Sequence, residues 1–121
     1  MEETLKILII DDDEVDRMAV TRALKATAIR MELSVATDYS EAIEILEEKQ
    51  FDCVFVDYLL PGKDGLALVK EIRASGSKVP LIVLTGQGDE QTAVDLMKAG
   101  ASDYITKSRI TGDLLSKTLR N

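Results

Sequence analysis

The sequence predicts a single doubly wound α/β domain, a parallel five-stranded sheet covered by helices on both faces. Three observations carry that prediction. Five short strand-like runs alternate with segments of helical periodicity: Leu5–Ile10, Met31–Ala36, Cys53–Val56, Val79–Leu84 and Asp103–Thr106. The third is continuously apolar and the first and fourth are apolar but for Lys6 and Pro80, as strands buried on both faces are. Strict alternation of strand and helix over 121 residues then calls for right-handed crossovers within one domain, 1–121.

The first run, LKILII, stops abruptly at Asp11-Asp12-Asp13-Glu14. Acids at a helix start can cap it and complement its dipole, which accounts for Asp13 and Glu14. It accounts less well for acids beginning at the very end of the strand. The segment Val15–Thr27 follows, with Val15, Met18, Ala19 and Ala23 at helical spacing. Met31–Ala36 alternates apolar and polar residues, as a half-exposed edge strand would. Ser40 is positioned to cap a helix over Glu41–Lys49 whose inner face is Ala42, Ile43 and Leu46.

The third run, Cys53–Val56, ends on a single acid, Asp57, before a loop punctuated by Pro61-Gly62 and Asp64-Gly65. Taken alone, Asp57 reads equally well as a strand terminator or a turn cap. A helix over Leu66–Ala74 shows Leu66, Val69 and Ile72 as its stripe and closes at Ser75-Gly76-Ser77. In Val79–Leu84, Pro80 fits only near the strand's start. Thr85-Gly86-Gln87-Gly88 matches the spacing of neither common phosphate loop. A helix starting at Asp89 or Glu90 runs to Ala99 with Ala93, Val94 and Met97 inward, and Gly100 suits a left-handed cap. The strand Asp103–Thr106 ends at Lys107. A last helix begins near Thr111 and carries Leu114, Leu115 and Leu119.

Composition narrows the function classes. Fifteen Lys and Arg against 22 Asp and Glu give a net charge of −7, the wrong sign for direct nucleic-acid binding or for an anionic membrane. The chain has no histidine, which removes serine–histidine catalysis and argues against a zinc site. The single cysteine, Cys53, lies in an apolar run and reads as a core thiol. The start, Met1-Glu2-Glu3-Thr4-Leu5, lacks a basic segment followed by an apolar one, and no run reaches transmembrane length. A soluble, cytoplasmic protein is expected.

In a doubly wound sheet the carboxyl ends of all strands share one rim, where such sheets bind ligands. That rim collects Asp11, Asp12, Asp57, Thr85 and Lys107. Converging carboxylates either retain a proton or bind a cation, and carboxylate oxygens suit Mg²⁺. A lysine and a hydroxyl opposite would serve an incoming anion. Together these are the equipment of phosphoryl transfer, in which an aspartate can itself be the nucleophile. Lys107 could be a surface charge and Thr85 a helix cap, but four such coincidences at equivalent positions would be needed.

ILIIDDDE, VDYLLPGKDG, LTGQG and DYITK, in this order and at these intervals, resemble the response-regulator receiver domains of two-component signalling over essentially the whole chain. The resemblance implies the flavodoxin-like strand order 2-1-3-4-5. It implies that Asp57 is the phosphoacceptor, taking a phosphoryl group from a histidine kinase or phosphotransfer protein and switching an output domain or downstream protein. Asp11, Asp12 and Asp57, with the backbone carbonyl of Leu59, match the Mg²⁺ shell. Thr85 matches the switch hydroxyl, Tyr104 the aromatic switch and Lys107 the phosphoryl-contacting lysine. Gly86 leaves space beside the acceptor, and Leu59 and Gln87 occupy the positions that tune the phosphorylated lifetime. On this reading the protein catalyses only its own modification and is not a metabolic enzyme.

The family usually has proline after the lysine, commonly through a cis bond; here Ser108 follows, so a trans peptide and an altered loop are expected. Two other functions compete. A phosphorylation-independent pseudo-receiver would not need all the functional positions filled, as they are here. A Mg²⁺-dependent phosphatase would need a second acid beside Asp57 to activate water, and none stands out. A flavin module fits poorly, because rim carboxylates would repel the cofactor phosphate.

Overall fold

The structure, a computed structural model, describes residues 4–120; the polar start Met1-Glu2-Glu3 and the final Asn121 lie outside the described residues. Five strands and five α-helices alternate: β1 (Leu5–Ile10), α1 (Glu14–Lys25), β2 (Met31–Ala36), α2 (Tyr39–Glu48), β3 (Cys53–Asp57), α3 (Gly65–Ala74), β4 (Leu81–Thr85), α4 (Glu90–Ala99), β5 (Asp103–Thr106) and α5 (Gly112–Arg120). All strand pairs are parallel and the order is 2-1-3-4-5, as the resemblance implied. β2 and β5 are the edges, which explains why β2 alternates while β3 and β4 are buried throughout.

Period-two alternation sorts the central strands into two cores. Leu8, Ile10, Val54, Val56, Leu81 and Val83 face α2, α3 and α4, meeting Ala42, Leu68, Val69, Ile72 and Leu96. Ile7, Ile9, Phe55, Ile82, Leu84 and Ile105 face α1 and α5, meeting Val20, Leu24 and Leu115. Cys53 belongs to this second core, where burial pushes its thiol up to about 12 and leaves it inert.

Several local expectations are corrected. The buried residues of α1 are Val20 and Leu24, whereas Val15 and Met18 are 72% and 53% exposed and Ala19 is exposed too. On α4 Leu96 is buried while Val94 and Met97 are largely exposed. Both helices carry two apolar stripes, and spacing alone cannot choose which one meets the sheet. Helix α2 is capped by Asp38, whose carboxylate accepts from Glu41 N–H at 2.8 Å, rather than by Ser40. β4 begins after Pro80, and β3 extends through Asp57.

Other local features follow the sequence. Asp13, Asp64 and Asp89 cap α1, α3 and α4, and Gly100 ends α4 at φ +115°. Thr111 accepts from Leu114 N–H at the start of α5. No cis peptide occurs among the described residues, so the Lys107–Ser108 bond is trans; Lys107–Arg109 form one 3₁₀ turn.

One half-buried arginine ties three segments together. Arg73, near the end of α3, donates to the carbonyls of Gly100 at 2.9 Å, Ser77 at 3.1 Å and Val79 at 2.7 Å. Its side chain lies so close to Gly100 that a β-carbon there would stand 2.7 Å from Arg73 Cγ. Arg73→Ala should therefore destabilise by about 1–3 kcal/mol, since three carbonyls lose a charged donor. Arg73→Lys should recover only part of this, because an ammonium cannot reproduce the planar fork. Urea unfolding monitored by circular dichroism reads both; equal stability in all three proteins would contradict the tie.

Candidate functional site

The register of the sheet builds the site. Ile10 pairs with Val56, which sets Asp11 level with Asp57 on adjacent strands; Asp11 N–H still donates to Ala36 O on the far side. Asp57 pairs with Leu84, and Thr85 with Thr106, so Thr85 and Lys107 reach the same rim from β4 and β5. All the rim residues singled out in the sequence therefore lie at one end of the sheet.

Asp11, Asp12 and Asp57 each offer an oxygen, the three lying within 4.8 Å of one another. Asp11 is 1% and Asp57 6% exposed, while Asp12 is open to solvent. Asp11 is held from both ends: its Oδ1 accepts from Asp13 N–H at 2.9 Å and its carbonyl from Arg17 Nη1 at 2.8 Å. Its other oxygen, Oδ2, is buried and accepts no hydrogen bond. An orphaned buried carboxylate oxygen beside two more carboxylates is an all-oxygen donor set suited to a hard divalent cation.

Lys107 supplies the opposing charge. Its Nζ lies 3.1 Å from Asp57 Oδ1, 3.5 Å from Asp11 Oδ2 and 2.5 Å from Asp16 Oδ2. Burial pulls the ammonium down, but hydrogen bonding to Asp16 and Asp57 and the charges of Asp57 and Asp11 outweigh it and hold its pKa above the usual lysine value. The trans peptide before Ser108 does not keep the lysine from the site. Asp16 was not singled out in the sequence, where it reads as one more acid in the first turn of a helix. Only the tertiary fold, which brings the start of α1 to the turn after β5, reveals its partner.

Burial raises the Asp11 carboxyl to about 6, against the pull of the Asp13 N–H, with the neighbouring Asp57 charge adding to the rise. Two carboxylates and one lysine leave the buried centre acidic. A buried carboxylate flanked by a cation-binding cluster and an ammonium can accept an electrophile that carries anionic oxygens.

Thr85 is buried, and its hydroxyl donates to Gln87 O at 3.0 Å rather than toward Asp57. The Gln87 and Leu59 side chains are both exposed beside the rim. Tyr104 packs against the α2–α4 core with its hydroxyl buried and unpaired. Its tip lies beneath Gly88, where any β-carbon would overlap the hydroxyl. A β-carbon on Gly86 would meet no atom within 4 Å, so the space expected there is open. On Gly65, at the start of α3, a β-carbon would stand only 2.9 Å from Asp57 O, so the β3–α3 loop closes tightly on Tyr58. The sequence marked Gly65 as turn punctuation; its close approach to the end of β3 is a tertiary fact.

The family description "Response regulator receiver domain" matches residues 7–119. The chain belongs to this family. Among curated relatives, response regulator RppA of Synechocystis is 32% identical over 115 residues, covering 93% of this receiver and 48% of the relative. The receiver thus spans about half the length of the curated relatives it matches. Among solved structures, the BeF3-activated N-terminal receiver domain of Klebsiella pneumoniae RstA has a TM-score of 0.81 at 30% identity, covering 96% of this chain and 99% of that one. The Mn(2+)-bound form of response regulator Rcp1 has a TM-score of 0.79 at 26% identity, covering 96% and 89%.

The raised Asp11 pKa has a signed consequence for the metal-free receiver. The folded value, about 6, lies above the ordinary carboxylate value of 3.8. The folded state thus binds the proton more tightly, and stability falls as pH rises from about 4 to about 6. Asp11→Asn, which never ionises, should be more stable than the parent at pH 7.5 in chelator, and that advantage should shrink towards pH 4. Thermal melts across this range check it; a difference independent of pH would refute the assignment.

Proposed function

We propose that this receiver is a phosphorylation switch whose acceptor is Asp57. The observation that carries the reading is the buried Asp57 carboxylate, placed within one oxygen cluster with Asp11 and Asp12 and 3.1 Å from the Lys107 ammonium. Asp57 attacks phosphorus with one carboxylate oxygen. The new O–P bond forms as the donor's P–N bond breaks, and the departing histidine of a kinase or phosphotransfer protein takes up a proton. Asp11, Asp12, Asp57 and the Leu59 carbonyl would hold Mg²⁺, which neutralises charge on the transferring oxygens when bound. The Mn²⁺ named for the Rcp1 structure supports a divalent cation in this family.

Lys107 holds the remaining phosphoryl charge. The Thr85 hydroxyl, now spent on Gln87 O, has a phosphoryl oxygen as a stronger, charged acceptor after transfer. Its movement would draw the Gln87–Gly88 loop with it, and Tyr104 is seated under that loop. This is the route by which an output domain or downstream partner would read the modification. With the Tyr104 hydroxyl already buried, the change is one of the loop over the ring as much as of the ring itself.

The donor is a protein rather than a small metabolite. Exposed Val15 and Met18 on α1 and Leu59 after the acceptor frame the rim with apolar surface, which a helical partner could cover. The net charge of −7 supports a reading without direct nucleic-acid or membrane contact, and no described helix is long and apolar enough to cross a membrane. A cytoplasmic location fits a kinase substrate of this kind.

Incubation with acetyl phosphate and Mg²⁺, followed by intact mass measurement, tests the reading. The parent should gain one phosphoryl group, Asp57→Ala none, and Asp12→Ala should label slowly because a cation ligand is lost. Full labelling of Asp57→Ala would sink the acceptor assignment. An unlabelled parent would favour a binding module that keeps the fold without the chemistry.

The lifetime of the modification is set by what can orient water in line with the acyl phosphate. Gln87 has both donor and acceptor groups and Leu59 has neither. Gln87→Leu should lengthen the phosphorylated state several-fold and Leu59→Asn should shorten it, as an orienting hydrogen bond of roughly 1 kcal/mol would. Decay after removal of the donor measures both. Identical decay in both variants and the parent would show that neither side chain touches the water.

A further inference from the structure

The Lys107 ammonium has three protons and three carboxylate neighbours, and these neighbours are not equivalent. The contact to Asp16, at 2.5 Å, is the shortest; Asp57 and Asp11 stand at 3.1 and 3.5 Å. Asp16 also differs in burial. Its side chain is 36% exposed, against 2% for Asp11 and 7% for Asp57. It stands on α1, outside the three-carboxylate cluster that could hold a cation. That helix is fixed beside the rim by the Asp13 cap and by Arg17 bonding to the Asp11 carbonyl.

Resting on the phosphorylation reading above, we propose that Asp16 is a positioning residue that holds Lys107 in the unmodified receiver and yields it when a phosphoryl group arrives on Asp57. A phosphoryl oxygen needs a donor from Lys107, and one carboxylate contact must lapse to provide it. The Asp57 carboxylate loses its charge on becoming the acyl phosphate, so its contact passes to the phosphoryl oxygens. For these to gain a further donor Asp11 or Asp16 must yield, and releasing Asp11 would leave a buried charge uncompensated, which is costly. Releasing Asp16 hands an exposed carboxylate back to water at little cost. Once the ammonium has turned, the Asp16 charge remains near the phosphoryl group and repels it. Asp16 therefore opposes the modified state twice, by occupying the lysine and by its own charge. The first effect is the larger at ordinary ionic strength, because water screens the longer-range repulsion.

Titration with beryllium fluoride as the phosphoryl mimic, in saturating Mg²⁺ and followed by calorimetry, tests this on the whole chain. Asp16→Ala and Asp16→Asn should each bind the mimic about two- to fivefold more tightly than the parent, the scale of a partly exposed ion pair. Glu14→Gln removes the same charge from the same helix end without touching Lys107 and should leave affinity within error of the parent. In a Lys107→Met background the gain from Asp16→Ala should shrink to the small remainder due to charge repulsion, which a purely structural role of Asp16 would not produce. Weaker or unchanged binding by Asp16→Ala, or a gain undiminished by loss of Lys107, overturns the proposal. A parent that binds no mimic overturns the phosphorylation reading itself, so the two failures are distinct.

Discussion

Two carboxylates buried side by side constrain this receiver more than any other feature. Asp11 and Asp57 are brought level by the β1–β3 register, and neither can move without shifting a central strand. Their mutual repulsion and lost hydration are offset by Lys107 alone among the described basic residues, since no other salt bridge reaches them. An arrangement of this kind favours whatever adds positive charge or removes a negative one, be it a proton, a cation or a turn of the lysine. The site is thus poised by the fold before any ligand is present.

The scaffold tolerates that strain because the rest of the sheet is apolar and well covered. Phe55, the four apolar residues from Ile7 to Ile10 on β1, and Leu81 to Leu84 on β4 are buried almost completely on one face or the other. Truncating such a residue costs about 2–5 kcal/mol, so the strand ends are held more firmly than any single rim contact could hold them. Movement is left to the loops. The β4–α4 loop, with Gly86, exposed Gln87 and Gly88, lies over Tyr104 and is tied to the sheet by the Thr85 hydroxyl, which donates to Gln87 O.

Exposed apolar residues divide into two groups by position. Val15, Met18 and Leu59 lie near the Asp57 end of the sheet, and Val94 and Met97 lie on α4. The second group lies on the helix that follows the Thr85 loop.

The sequence by itself determined the element order, the single parallel sheet and the identity of the rim residues, because each rests on short-range information. Buried parallel strands are written as continuous apolar runs, and Asp11, Asp57, Thr85 and Lys107 stand where those runs stop. The tertiary structure alone decided which stripe of α1 and of α4 is buried, since both helices carry two and only the facing sheet selects between them. It alone decided that Asp38 rather than Ser40 caps α2, a choice of loop dihedral and not of residue type. It alone joined Asp16 to Lys107, 91 residues apart, because a hydrogen bond between α1 and the end of β5 exists only after the sheet has brought them together.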